Sequence, residues 1–426
     1  MLISAIFIAM LLMICINIPI AVALAMSGVL GLLFTEGTSS LVTIALDMYD
    51  GSTKFSLIAI PMFVLAGAIM NAGGITDKLI NFVSAIIGFI RGGLAMVNIG
   101  VSLFFAEISG SAVADVAAMG SILIPQMKKR GYSKEFSAAV TSSSASLAII
   151  IPPSIPMILY AASANTSVEQ LFVAGIVPGL LGAGGLMLVA YLFAKHYDFP
   201  TEDAFNFPRL RETFVDALPA FTLPVIILGG IFGGFVTATE AAGLAVLASL
   251  VVSAWYGNLD RDHLRRAMLD GGIQTAVVML LVAASVLMGG FLTRAQIPQQ
   301  LAESILSITT QQWAILLILN FFFLVVGFFL HSAAAIILVI PIVIPLITAA
   351  GIDPVHFGLV VTLNLAIGQQ TPPVASVLIT ACSVARANIW EVSKVNIWFV
   401  GVLILVLMLC TYVPSVPMFL VEYFYR

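Results

Sequence analysis

The sequence predicts an all-α, polytopic membrane protein built as an inverted repeat, and three observations carry that prediction. Of 426 residues, 61% are hydrophobic and 9% charged, and the mean hydropathy is +1.13. An ordinary soluble domain is about a quarter charged. The apolar residues form continuous runs, such as 2–34, 55–70, 314–330 and 395–409. These are on the scale of the roughly 20 residues a spanning helix needs and lack the alternation of a membrane β-strand. Third, a pattern of prolines and glycines recurs 220 positions further along the chain: Pro125, Gly131, Pro152 and Pro153 match Pro345, Gly351, Pro372 and Pro373.

The elements follow in order. The opening MLISAIFIAM has no basic flank and no small-residue cleavage site, so it reads as a retained helix and not a cleaved signal. After the run 55–70 comes ITDKLINFVSAIIGFIR, of mixed polarity, which is expected to lie flat at the interface. Residues 92–126 must start and finish on one side for the charges to fit, and they carry FAEISGSAVAD at their middle. They read as a re-entrant hairpin with Ser109, Gly110 and Ser111 at its tip. A broken span, 135–164, and a crossing, 168–194, complete the first half. The polar stretch 197–212, with Pro200 and Pro208, is expected to be a linker. Crossings near 214–235, 238–255 and 272–291 follow, with RDHLRRAML expected to form another flat segment. IPQQLAESILSITTQQW is the second flat helix. Residues 313–346 are the second hairpin, tipped by His331 and Ser332, and a second broken span and a last helix close the chain. The expected plan is about ten crossing helices, two hairpins and two Pro-Pro broken helices. Its divisions are 1–91 (scaffold and arm, first repeat), 92–197 (first transport half), 198–312 (linker, scaffold and arm, second repeat) and 313–426 (second transport half).

Between residues 111–163 and 331–383, 10 of 53 aligned positions are identical, and four of the ten are Pro or Gly. Charge then sets the orientation. QMKKRGYSKE is strongly basic, whereas its counterpart LITAAGIDPVHF has no Lys or Arg. The positive-inside rule puts the first loop in the cytoplasm and the second outside. Equivalent loops on opposite faces are the mark of an inverted repeat.

Two adjacent prolines in apolar surroundings raise a chemical question. Proline lacks an N–H and excludes the helical bond to the residue four before it. Pro152 and Pro153 therefore free the carbonyls of Ala148 and Ile149, and Pro372 and Pro373 those of Gly368 and Gln369. Broken backbone at membrane depth persists only inside protein or along a cavity, where free carbonyls suit a hard cation. The new helix N-terminus beyond each break attracts anions. The expected cation ligands are Ser109, Gly110, Ser111, Ala148, Ile149, Gly327, Gly368, Gln369 and Thr371. The expected substrate contacts are Ser144, Ser146, Pro152, Pro153, Ser154, Ser332, Asn364, Gln370, Pro372 and Pro373. No Lys or Arg occurs between Phe136 and Ser163 or between Val355 and Val384, so an anion would be held by dipoles, hydroxyls and co-bound cations. Intramembrane Glu107 and Asp115 are further suspects. Asp115 also suits the first turn of a helix starting near Ser111. His331 reads as a packing residue of the second tip, and Glu240, after Thr237 and Thr239, as a helix start. The plainer reading of one Pro pair is a kink that shapes packing; two pairs at matched positions favour a site.

The stretches IPMFVLAGAIMNAGGITDKL, EISGSAVADVAAMGSILIPQMKKRGY, IPPSIPMILY and QQTPPVASVL resemble the large membrane subunit of the tripartite ATP-independent periplasmic (TRAP) transporters. The likeness covers the whole chain and is looser at FFLHSAAAIILVIP, which lacks an acid. The resemblance implies a bacterial inner-membrane, sodium-driven importer of small organic anions of the carboxylate or sialic acid class. It also implies two separate partners, a periplasmic solute-binding protein and a small four-helix membrane subunit. By analogy with the divalent-anion/sodium symporters, the hairpins and broken helices would slide as an elevator against a scaffold.

Other classes fit less well. The three cysteines (Cys15, Cys382, Cys410) and four histidines are scattered, with no metal spacing. The net charge of −4 and the lack of a phosphate loop argue against nucleic acid and nucleotide. No organic cofactor is expected. An enzymatic or proton-coupled intramembrane subunit would need clustered His, Asp or Glu along one helix. An ATPase-driven permease would need a larger cytoplasmic coupling surface than the loop at Gly131.

Overall fold

A computed structural model describes residues 2–16, 18–199, 204–372 and 374–425. In chain order the helices are α1 (Leu2–Cys15), α2 (Ile20–Glu36), α3 (Ser40–Ser52), α4 (Ala59–Ala72), α5 (Ile75–Ile87), α6 (Gly93–Ser109), α7 (Ala112–Lys129), α8 (Lys134–Ala145), α9 (Leu147–Ile150), α10 (Ile155–Ala164) and α11 (Val168–His196). The second half holds α12 (Phe207–Pro224), α13 (Gly230–Phe232), α14 (Ala238–Trp255), α15 (Arg261–Arg294), α16 (Ile297–Ile308), α17 (Gln312–Phe329), α18 (Ser332–Ala349), α19 (Pro354–Gly368), α20 (Ser376–Ala385), α21 (Ile389–Tyr412) and α22 (Ser415–Tyr425). No strand occurs among the described residues. Ten described helices are long and apolar enough to cross a bilayer, α17 and α18 among them. The fold is all-α and polytopic.

Helix starts follow local chemistry. Ser133, Ser154, Ser167, Asn206, Asp260 and Asn388 each accept a backbone N–H of the first turn they cap. Thr237 and Glu240 form a reciprocal capping box at α14, the start expected for Glu240. The tips are tight. Gly110, at φ +58, links α6 to α7, and Leu330 and His331 alone separate α17 from α18.

The structure corrects three expectations. RDHLRRAML does not form a separate flat segment: it is the first quarter of the 34-residue α15, since no proline lies between Arg261 and Arg294 and the helix tolerates the pairs Gly271-Gly272 and Gly289-Gly290. The linker is shorter than 197–212, because Asn206 caps α12 and Pro208 sits in its first turn, where a missing N–H costs nothing. The run 2–34 is two helices, parted before Ile20 at Pro19. Arg294, at the end of α15, bonds Glu36 at 2.7 Å and Asp47 at 3.3 Å.

The matched elements share their bounds. α7 and α18 are 18 residues each and begin and end 220 positions apart. The halves also exchange their last pieces: α10 packs on α18 and α19, and α20 packs on α7 and α8. Interlocked in this way, the broken segments are shielded from lipid. In the apolar stretch of α8–α10, 94% of the residues are buried in protein, which is the condition under which interrupted backbone survives in a membrane.

Candidate functional site

Both breaks are real interruptions. The first chain turns at Ile151–Pro153 between α9 and α10, and the Pro152-Pro153 bond is cis. Ser154 Oγ donates to the Ile149 carbonyl at 2.7 Å and accepts from the Met157 N–H at 3.4 Å, so one hydroxyl joins the two sides. Ala148 has Pro152 four residues ahead, which offers no N–H. At the second break the Gly368 carbonyl accepts from the Thr371 N–H at 3.0 Å, leaving its second lone pair. Gln369 Oε1 accepts from the Ser376 hydroxyl at 3.3 Å, and Ala375 holds a left-handed φ of +42 just before α20.

Each hairpin meets a break closely. A Cβ on Gly110 would lie 2.9 Å from the Pro153 carbonyl oxygen, and one on Gly368 only 2.5 Å from Gly327 Cα. These are backbone-to-backbone approaches that only glycine permits.

A cavity of about 610 Å³ opens between the two tips. Gly110 and Ser111 come from the first tip and His331 and Ser332 from the second. Ile149, Ile155 and Pro156 come from the first break, Ser376 and Thr380 from α20. The far wall belongs to other helices, with Val64 of α4 and Ile273, Gln274 and Val277 of α15. Four helix N-termini open on this space. Ser111 is the N-cap of α7 and His331 that of α18, while Ile155 and Ser376 begin α10 and α20. Each terminus carries roughly half a positive charge, and no Lys or Arg is among the lining residues. The arrangement favours an anion held by dipoles and hydroxyls.

The other expected site residues fall behind this cavity. Gln370, Ser144, Ser146 and Asn364 are fully buried; Gln370 and Ser146 lie in the seam between the halves, while Ser144 and Asn364 each bond within their own half. Gln370 Nε2 donates to the Ser142 carbonyl at 2.7 Å and to Ser146 Oγ at 2.6 Å, and its Oε1 accepts from Ser142 Oγ at 2.6 Å. Ser146 Oγ in turn reaches the carbonyl of Ala366 at 3.4 Å, its own counterpart 220 residues on. Ser144 accepts from Ser102 at 3.0 Å and donates to Asn98 at 3.1 Å; its counterpart Asn364 donates to Asn320 at 2.7 Å. These polar groups tie each hairpin to its broken helix. Asn364 Oδ1 is buried with no hydrogen-bond partner. Ala148, Pro152, Ser154 and Gln369 are buried, while Thr371 and Pro372 are half-buried. The side chains of Glu107 and Ser109, and all of Pro373, lie outside the described residues. Asp115 is buried in the first turn of α7, and His331 caps α18 by accepting from the Ala333 N–H at 3.4 Å. No cluster of three His, Cys, Asp or Glu able to hold a metal occurs among the described residues.

Sequence reasoning missed the wall from α4 and α15. Gln274 was the available signal, a lone amide in an otherwise apolar run.

Gln370→Leu should leave the Ser142 and Ser146 hydroxyls without their principal partner. That costs about 1–3 kcal/mol per buried group, and a clear drop in the melting temperature of the detergent-solubilised chain is expected. An unchanged melt would show that the seam does not depend on this amide.

A family model described as the DctM component of the tripartite ATP-independent periplasmic transporter matches residues 7–416. The chain is 37% identical, over 95% of its length, to the isethionate TRAP transporter permease protein DctMQ of Oleidesulfovibrio alaskensis, and spans 64% of that longer relative. It is 35% identical to the C4-dicarboxylate TRAP transporter large permease protein DctM of Vibrio cholerae, covering 99% of this chain and 97% of the relative. Among solved structures it is similar in fold to the YdaH transporter of Alcanivorax borkumensis, with a TM-score of 0.62 at 14% identity, over 88% of this chain and 89% of that one.

Proposed function

We propose that this chain, which belongs to the DctM component family of the tripartite ATP-independent periplasmic transporters, is the sodium-coupled importer of a small organic anion. As a member of that family it is a transporter permease and not an enzyme, a multi-pass protein of the bacterial inner membrane. The finer reading rests on one observation above others: a cavity without Lys or Arg, onto which four helix N-termini open. Such a site suits a carboxylate, sialic acids included, or a sulfonate, and the relatives named for isethionate and C4-dicarboxylates fit that class. Sodium ions would neutralise part of the charge, ligated by tip and break oxygens around Gly110, Ser111, Ile149, Gly368 and Thr371. The Asn364 Oδ1 lone pairs lie behind the second break as a further acceptor.

In this reading the interlocked halves, with both hairpins and both breaks, move as one body against α4, α15 and the arms α5 and α16. The repeats are inverted, so each face presents one hairpin as its gate. A periplasmic binding protein delivers the anion, and a small membrane subunit supports the scaffold. The greater length of the relative named DctMQ is consistent with such a subunit fused in that protein.

The test is uptake into proteoliposomes containing this chain, the small subunit and the loaded binding protein. Uptake should require an inward sodium gradient. Uptake that persists after the gradient is collapsed, or that follows a proton gradient alone, would refute sodium coupling.

A further inference from the structure

Lys54 and Gln274 stand 220 positions apart, the offset that relates the two halves. The offset holds for the scaffold too. α15 covers 261–294, and 220 less is 41–74, the stretch of α3 and α4. Packing keeps the same register. A Cβ on Gly51 would strike Val286 of α15, and one on its counterpart Gly271 would meet Leu65 of α4, one position from the image of Val286. Lys54 and Gln274 are both exposed. They differ in charge and in what they face.

Gln274 and Val277 line the cavity between the tips. Their counterparts Lys54 and Leu57 line a smaller cavity, of about 190 Å³, shared with Leu159 and Ala162 of α10 and Ile337 of α18. There Lys54 Nζ donates to the Ala162 carbonyl at 2.8 Å, in the last turn of α10, where a cation suits the helix dipole. α20 ends in a similar way, with Lys128 Nζ donating to the Ala385 carbonyl at 3.2 Å. The two lysines stand on different bodies. Lys128 is on α7 and travels with α20, whereas Lys54, between α3 and α4, belongs to the scaffold and α10 to the interlocked halves. Sliding of one body on the other therefore breaks the Lys54 contact and keeps the Lys128 one.

What Lys54 does next rests on the two-body sliding proposed above, in which the opposite state gives each inverted half the arrangement that the other half now has. That exchange carries Gln274 to the C-terminal end of α20, beside Cys382, the counterpart of Ala162. It carries Lys54 to the cavity, beside Ser111, the counterpart of His331. We propose that Lys54 is a substrate-binding residue of the opposite state, a scaffold ammonium that leaves the α10 carbonyl and meets the carboxylate or sulfonate of the anion between the tips. α10 leads into NTSVEQ, on the face away from the basic loop, so the state in which the tips reach Lys54 is the outward one. There the anion is loaded against a full positive charge, whose hydrogen bond is about twice as strong as a neutral one. In the state described here the equivalent place is held by the neutral amide of Gln274, which favours release.

The experiment is thiol cross-linking with a short bifunctional reagent, in proteoliposomes energised for uptake and supplied with both partners. In a chain whose own cysteines are replaced, Lys54→Cys with Ala162→Cys should link in the state described here, and Lys54→Cys with Ser111→Cys in the opposite one. Gln274→Cys with the native Cys382 retained reports sliding by itself, and it should link only in the opposite state. A 274–382 link without a 54–111 link would overturn the placement of Lys54 and leave the sliding intact. Absence of both would overturn the sliding and the placement with it. K54Q, which keeps an N–H donor for α10, should lower initial uptake about tenfold, the scale of one hydrogen bond to a charged group, with an unchanged melt. K54R, which keeps the charge, should retain most of the uptake. Parent-like uptake by K54Q, or equal loss in K54Q and K54R, would overturn the role of the charge.

Discussion

Replacing Pro152 and Pro153 together by alanine is expected to reduce sodium-dependent uptake to background while the chain still inserts and folds. Each proline denies the helix one hydrogen bond and crowds the preceding turn, and an interior proline disfavours a helix by about 3 kcal/mol. With alanine at both positions, N–H groups become available to the carbonyls of Ala148 and Ile149. α9 and α10 then join across the former break, with Pro156 left to kink the helix one turn further on. Three things are lost at once: the carbonyl lone pairs at the break, the α10 N-terminus at Ile155 that opens on the cavity, and the Pro153 carbonyl against which Gly110 rests. Uptake is measured in proteoliposomes with both partners, and folding by the elution profile and melt of the purified chain. Normal uptake by this variant would show that the break shapes packing and nothing more.

Gly368→Leu should be nearly as damaging, by a different route. A Cβ there would sit 2.5 Å from Gly327 Cα and 2.7 Å from its carbonyl carbon, so backbone must yield. Overpacking of this kind costs about 1–3 kcal/mol, and its geometric effect is to push α17 off α19 at the break. Loss of most uptake and a lower melting temperature are expected, with Gly368→Ala intermediate. Gly327→Ala, whose Cβ would meet Gly368 Cα at 3.0 Å, should fall between the parent and Gly368→Ala. Parent-like uptake by Gly368→Leu would separate the second break from transport.

Much of this architecture was legible in the residues. The paired helices at 93–129 and 312–349 and the interruption after α9 follow the order read from the sequence, and the tips at Gly110 and His331 follow from the small and polar residues there. The Pro pairs located both breaks. The polar residues along the broken helices were harder to place, because a hydroxyl on an apolar helix looks the same whether it faces a ligand or a neighbouring helix. Ser146 and Gln370 face the seam between the halves, Ser144 and Asn364 face the hairpin helix of their own half, and only tertiary packing decides that. Pro208 was misleading for a related reason, since the same residue ends a linker or starts a helix depending on whether an Asn206 cap precedes it. The flat reading of RDHLRRAML failed because amphipathic sequence at a membrane surface continues into a spanning helix when nothing interrupts it. The wall from α4 and α15 arises from tertiary contact between segments about 200 residues apart, which no local pattern announces.

The most direct measurement is thiol labelling of Ser111→Cys, in a chain whose own Cys15, Cys382 and Cys410 have been replaced by serine or alanine. Ser111 lines the cavity at the first tip. The account predicts that sodium together with the transported anion slows labelling at least tenfold relative to potassium alone, while a cysteine at Lys394, far from the tips in sequence and lining another pocket, reacts at an unchanged rate. Identical labelling of Ser111→Cys with and without sodium and anion, in a variant that still transports, would place the binding site elsewhere.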